Sequence, residues 1–153
     1  SMIKRIRIDH PESPLAVVFD AKGKAFRHDM YSEYKGNRPP MPEDLVQQIE
    51  PIHRIISLMG IKLIMISGVE ADDVIGTLAE QARQKKLNTV ISTGDKDMTQ
   101  LVCDNVSVVN TMSGELLDAN GVEKKFGVGP ELITDYLALI GDKSDNVPGV
   151  DKV

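Results

Sequence analysis

Six acidic side chains stand where short apolar runs give out. Asp20 closes Leu15-Ala16-Val17-Val18-Phe19; Glu70, Asp72 and Asp73 follow Leu63-Ile64-Met65-Ile66; Asp95 and Asp97 follow Thr89-Val90-Ile91-Ser92. Two more, Asp142 and Asp145, lie three apart in the turn-forming stretch from Gly141 to Gly149. Two carboxylates 4 Å apart repel by about 4 kcal/mol at an effective dielectric near 20. Several such pairs rival the roughly 5 to 15 kcal/mol that holds a domain together, so protons or cations must offset them. An all-oxygen set without histidine or thiolate suits Mg²⁺ or Mn²⁺ better than zinc, and this many acids suit two ions. Two such ions are the usual apparatus of phosphodiester displacement: one activates a water, the other steadies the leaving oxygen.

The acids meet only if the backbone carries them to one place. The apolar runs are short, β-rich and bounded by turn residues, which reads as buried strands at 15–19, 63–66, 89–92 and 106–109. Helical periodicity separates them. Leu45, Ile49, Ile52, Ile56 and Met59 make one stripe over 43–59, with Pro51 expected to bend it and Gly60 to end it. Val74, Ile75, Leu78, Ala79 and Ala82 make another after the Glu70 motif. The pair Asp95/Asp97 precedes a third helix, 119–126 is a short helix stopped at Gly127, and Pro130 opens a helix ended by Gly141. Residues 2–8 are too short to classify. Alternating strands and helices mean βαβ units, hence an α/β fold with a mainly parallel twisted sheet and helices on both faces. Ligands of such sheets gather at the carboxyl ends of the strands, where all six acids are placed.

Plainer uses compete with this reading. Asp72 or Asp73 suits a helix cap, whereas Glu70 has no such use. Segment 22–38 interleaves Lys22, Lys24, Arg27, Lys35 and Arg38 with Phe26, Tyr31 and Tyr34, as a phosphate-gripping, base-stacking surface does and as a solvated loop also does. His53 lacks a metal partner at helical spacing and reads as a packing residue. Cys103, the single cysteine, follows Leu101-Val102 and reads as a buried thiol.

The chain has 153 residues, 41% hydrophobic and 27% charged, which fits one domain with a real core. No apolar run approaches the roughly 18 residues of a membrane span, so no membrane partner is expected. A net charge of −5 argues against a nucleic-acid partner until ions at the cleft offset four of the negative charges.

At the quoted residues the chain resembles a known family. Val18-Phe19-Asp20 through Phe26-Arg27, Tyr34-Lys35 with Arg38-Pro39-Pro40, Gly68 through Gly76, Ser92 through Met98 and Gly141 through Val150 recur in order. They look like the 5′-nuclease domain of bacterial DNA polymerase I, a PIN-like, Rossmann-like fold related to flap endonucleases. The resemblance implies that Asp20, Glu70, Asp72, Asp73, Asp95, Asp97, Asp142 and Asp145 are metal ligands or their close neighbours. It implies that Arg27, Tyr34, Lys35 and Arg38 meet the 5′ end or scissile phosphate, with Lys35, Arg38, Asp20 and Asp72 catalytic. The expected organisation is an α/β metal-site core over 15–141, including a helical arch segment over 22–42, and the start of a helix–three-turn–helix module over 142–153. Substrates would be DNA flaps, nicks and 5′ ends in primer removal and repair, beside a polymerase domain in a cytoplasmic, nucleoid-associated bacterial parent.

The chain departs from the family pattern by lacking a match to its first metal-binding strand before residue 15, Asp9 being a poor substitute. A piece of the domain, weakly active or inactive and prone to self-association through an exposed sheet face, is therefore expected. Two rival readings are an aspartate-dependent phosphotransfer domain of receiver or haloacid-dehalogenase type, and a non-catalytic module that binds a cation for stability. Lys22, where a dehalogenase needs a second acid, weighs against the first.

Overall fold

The computed structural model describes residues 2–152. The unclassified start forms helix α1 (Met2–Asp9), in which Arg5 reaches Asp9 one turn on at 2.9 Å. The runs at 15–19 and 63–66 then pair in parallel as β1 (Ala16–Val18) and β2 (Lys62–Ile64), with Ala16 opposite Lys62. Phe19 N–H extends the ladder to the Ile64 carbonyl at 3.0 Å. Met65 and Ile66 leave it and stand about half exposed, which is why β2 is shorter than its apolar run.

Between these strands lie α2 (Arg27–Met30) and α3 (Glu43–Leu58). Residues 22–42 thus hold one four-residue helix and turns in place of the expected arch. The proline run 39–42 ends this segment and starts α3, and Pro51 is accommodated inside α3. Helix α4 (Ala71–Gln84) buries Val74 and Ala79 and packs on both β1 and β3 (Thr89–Ser92). β3 runs parallel to β4 (Val106–Val109), and β4 pairs antiparallel with β5 (Leu116–Leu117), a strand too short to show in the sequence pattern.

After β3 the expected α-helix is a 3-10 helix, Lys96–Leu101. Asp95 accepts the Asp97 N–H at 2.9 Å and the Thr99 hydroxyl bonds the Lys96 carbonyl at 2.6 Å, local bonds that compete with an α-helical ladder. Helix α5 (Ala119–Phe126) is capped by Asp118 and ends on left-handed Gly127. Pro130 opens a 3-10 turn, Pro130–Leu132, that leads into α6 (Ile133–Ile140).

The α/β class stands, but the strands form two sheets, β1-β2 and β3-β4-β5, with no ladder between β2 and β3 among the described residues. The main core belongs to the second sheet. Ile91, Met98, Val102, Val106, Val108, Leu117, Val122 and Ile133 join Ala79 of α4 in one buried cluster. α4 is the element that leans on both sheets, and its first turn carries the Glu70 motif.

Candidate metal centre

The start of α4 gathers the first acids by ordinary capping. Glu70 is the N-cap residue and Asp73, three on, accepts its backbone N–H at 3.0 Å. Glu70, for which the sequence suggested no structural use, therefore has one. Asp20, just beyond β1, accepts the Ala71 N–H at 2.7 Å, capping the same helix from another strand. Asp95 caps the 3-10 helix. Asp142 does the same for the turn after α6, accepting the Ser144 N–H at 2.7 Å and the Ser144 hydroxyl at 2.6 Å.

Asp72 is different. It is half-buried and makes no hydrogen bond or ion pair among the described residues. Burial first, then repulsion by Asp95, Asp20 and Glu70, pushes its carboxyl up to about 6, with Lys35 pulling weakly the other way. Acids from three separate strand ends thus act on one group.

A cavity of about 340 Å³ opens beside them, lined in part by Glu70, Asp72, Asp97, Asp142, Asp145 and Arg27. Of the eight predicted acids, Glu70, Asp72, Asp97, Asp142 and Asp145 line it; Asp20 and Asp73 bond the first turn of α4, and Asp95 acts on Asp72 by repulsion. They do not form a chelating set as they stand: among the described residues no group of three or more His, Cys, Asp or Glu is arranged to hold one ion.

Side-chain cations occupy the places between them. Arg27 forms a two-pronged pair with Asp73 at 2.6 and 2.7 Å and reaches Glu70 at 3.0 Å. That pairing lowers the Asp73 carboxyl and raises the Arg27 guanidinium. Lys35 bonds Glu70, and Arg38 bonds Asp145 at 2.5 Å. Lys96, to which the sequence reading gave no role, bridges Asp142 at 2.7 Å and Asp97 at 3.1 Å. Burial works to raise Asp142, yet the bonds from Lys96 and Ser144 leave it well below the usual carboxylate range. For Asp97 burial prevails over the Lys96 bond and the carboxyl is raised.

The four residues expected at DNA all face acids in this structure. Tyr34 is buried, its hydroxyl donating to Glu70 at 2.9 Å and Asp145 at 3.0 Å. Burial and those bonds hold the phenol protonated far above its ordinary range. The exposed aromatic of this segment is Phe26, with the Arg27 guanidinium 4.7 Å above its ring. One main-chain bond and one side-chain bond also strap the segment to the 142–146 turn: Lys35 N–H donates to the Asp145 carbonyl at 2.8 Å, and Asn146 Nδ2 donates to the Glu33 carbonyl at 2.9 Å.

By the chemistry of its donors alone, the set suits a hard divalent cation. It is all oxygen, and the group at its centre carries a charge that neighbouring acids oppose and no side-chain cation bonds.

His53 packs edge-on against Phe19 at 4.4 Å, as a packing residue does, though its Nε2 is buried without a partner. Cys103 is half-buried beside β4.

Comparison with known proteins gives a consistent picture. Residues 1–127 match the family model described as 5′-3′ exonuclease, N-terminal resolvase-like domain. The chain is 57% identical over 150 residues to DNA polymerase I of Pseudomonas aeruginosa, covering 98% of this chain and 16% of that protein. It is 48% identical over 153 residues to a 5′-3′ exonuclease of Buchnera aphidicola subsp. Baizongia pistaciae, covering 100% of this chain and 51% of that one, so it spans about half the length of that curated relative. In structure it resembles a T5 protein co-crystallised with metal ions, with a TM-score of 0.84 at 24% identity, covering 99% of this chain and 61% of that chain, a likeness of fold.

Proposed function

The chain belongs to the 5′-3′ exonuclease family with an N-terminal resolvase-like domain, and we propose that it carries the ion-binding portion of an enzyme that hydrolyses phosphodiesters at DNA 5′ ends, nicks and flaps. One observation supports this reading above the others: half-buried Asp72, opposed by Asp95, Asp20 and Glu70 and paired with no cation. A module that used acids only as caps would have no use for it.

In this reading Asp20, Glu70, Asp72, Asp73, Asp95, Asp97, Asp142 and Asp145 hold two divalent ions, Mg²⁺ or Mn²⁺, directly or through neighbours. When bound, the ions supply an activated water and charge for the leaving oxygen. The chain's own side chains do the rest. Asp20 and Asp73 fix the first turn of α4, so that Asp72 points into the cleft with Glu70 beside it. Arg27, Lys35 and Arg38 offer five-donor or three-donor cations to phosphate oxygens. Tyr34, held protonated, stays a donor throughout the working pH range. Phe26 is the exposed ring on which a terminal base stacks.

In this reading the core runs over 15–141, and residues 142–153 begin a duplex-gripping module. The parent is read as a bacterial cytoplasmic DNA polymerase I, its polymerase domain the partner in primer removal and repair. Association of the isolated chain through an exposed sheet face is a further part of the reading.

The test is cleavage of a 5′-labelled flap duplex by the longer protein that contains this chain. Mg²⁺ should be required, and Asp72→Asn should reduce cleavage on the order of a hundredfold or more, because an ion ligand acts directly on the developing charge. Undiminished cleavage by Asp72→Asn, or equal cleavage in EDTA, would refute the assignment. The chain alone should cleave weakly or not at all.

A further inference from the structure

Of the side-chain cations that neutralise the cleft, Lys96 alone belongs neither to the basic 22–38 segment nor to any predicted role. It lies between Asp95 and Asp97 in sequence, on the first turn of the 3-10 helix, and its ammonium turns back across the cleft to Asp142. It therefore ties the acid pair that follows β3 to the acid turn that follows α6. Removing the ammonium leaves Asp97 and Asp142 facing each other, with Asp95 also acting on Asp97.

The tie is weak by construction. Lys96 is 44% exposed at its side chain and the pairs it makes are partly solvated. Such pairs contribute little, about as much as a several-fold change in an equilibrium constant. A lysine ammonium is a compact point charge on a flexible stem, so it can leave without disturbing the backbone. A divalent ion brings twice its charge to the same oxygens.

We propose that Lys96 is a positioning residue, a built-in counter-ion that holds Asp97 and Asp142 together in the ion-free chain and is displaced when a divalent ion binds there. It rests on the ion-binding reading above. Displacement leaves the Lys96 ammonium free of both carboxylates.

Two measurements test it on the full chain. Isothermal titration with Mn²⁺ should show Lys96→Met binding about fivefold tighter at the weaker position than the unsubstituted chain. Lys143→Met removes a lysine from the turn beside the cleft without touching the bridge, and should leave that affinity almost unchanged. Equal tightening by both variants would mean a general charge effect and would overturn the proposal, as would unchanged or weaker binding by Lys96→Met. In the second, the side-chain methylene NMR signal of Lys96, assigned by comparison with Lys96→Arg, should move to the position of a free lysine as Mg²⁺ saturates the protein. A signal that stays put at saturating Mg²⁺ overturns displacement even if Lys96→Met should fail to fold. Absence of any Mn²⁺ binding to the unsubstituted chain would instead overturn the ion-binding reading beneath it.

Discussion

Asp72 makes a prediction whose sign is opposite to that of most carboxylates. Its folded value of about 6 lies above its ordinary value, so the folded chain holds its proton more firmly than the unfolded chain does. Ionising Asp72 therefore costs stability, and the cost disappears as pH falls through 6 toward the ordinary carboxylate range. Without metal, the melting temperature should rise between pH 7.5 and pH 5. Solvent screening of a half-exposed group keeps the gain on the order of 1 kcal/mol, roughly 2 to 4 °C in a chain of this size. Asp72→Asn should raise the melting temperature in EDTA at pH 7.5 by a similar amount and flatten the pH dependence, as read by calorimetry. Asp97, also raised by burial, adds to the rise on acidification, whereas Asp73 and Asp142 are lowered and their contributions fade only below the ordinary carboxylate range. That Asp20, the Glu70 motif and the Asp95/Asp97 pair would stand at strand ends was legible in the sequence, because each follows a short apolar run, whereas Asp142 and Asp145 follow α6. Which of them also serve as caps was not, since a bond such as Asp20 to the Ala71 N–H joins residues far apart in the chain. Tyr34 shows the same limit. Its place in a basic segment suggested a stacking surface, whereas burial between Glu70 and Asp145 makes it a donor and leaves Phe26 exposed.

Among the elements, the turn after α6 carries the sharpest constraint. Gly141 has φ 73 and ψ −179, a region closed to residues with a side chain. A Cβ there would lie 2.7 Å from the Val147 carbonyl oxygen. This close crossing lets Asp142 and Val147 pair in a bridge, with backbone bonds of 2.9 and 2.8 Å, and aims Asp142 and Asp145 back at the cleft. Gly141→Ala should therefore weaken Mn²⁺ binding at least tenfold in a calorimetric titration while circular dichroism still reports the helices. α6 enters the core through Ile133, only 1% exposed, and Ile133→Ala should cost about 2 to 5 kcal/mol in denaturant unfolding. Helix periods and glycine stops located α3, α4, α5 and α6 well. β5 and the 3-10 helix escaped because two residues carry no period and because side-chain bonds, not propensity, wind 96–101 tightly.

For the molecule as a whole, stability is unevenly spread. The buried cluster draws on α4, β3, the 3-10 helix and Val102 after it, β4, β5, α5 and α6, and its described members include none from β1, β2 or α3. α3 buries Ile56 yet exposes Leu45, Val46, Ile55 and Leu58. Amide exchange should therefore be slowest in β3 and β4 and much faster in β1 and β2. The parallel α/β plan was readable from alternation alone. The separation into two sheets was not, because strand order depends on which edges meet in space rather than on any local pattern.

The division between the sheets gives bound ions a second task. Asp20 and Glu70 sit on the poorly anchored side, Asp95 and Asp97 on the well-anchored one, and α4 packs across the seam on β1 and β3. On the proposed ion-binding reading, an ion shared across that seam would act as a rivet. Adding Mg²⁺ should slow exchange in β1 and β2 far more than in β3 and β4, so that the proposed cofactor would also stiffen the half of the molecule that carries the basic strap.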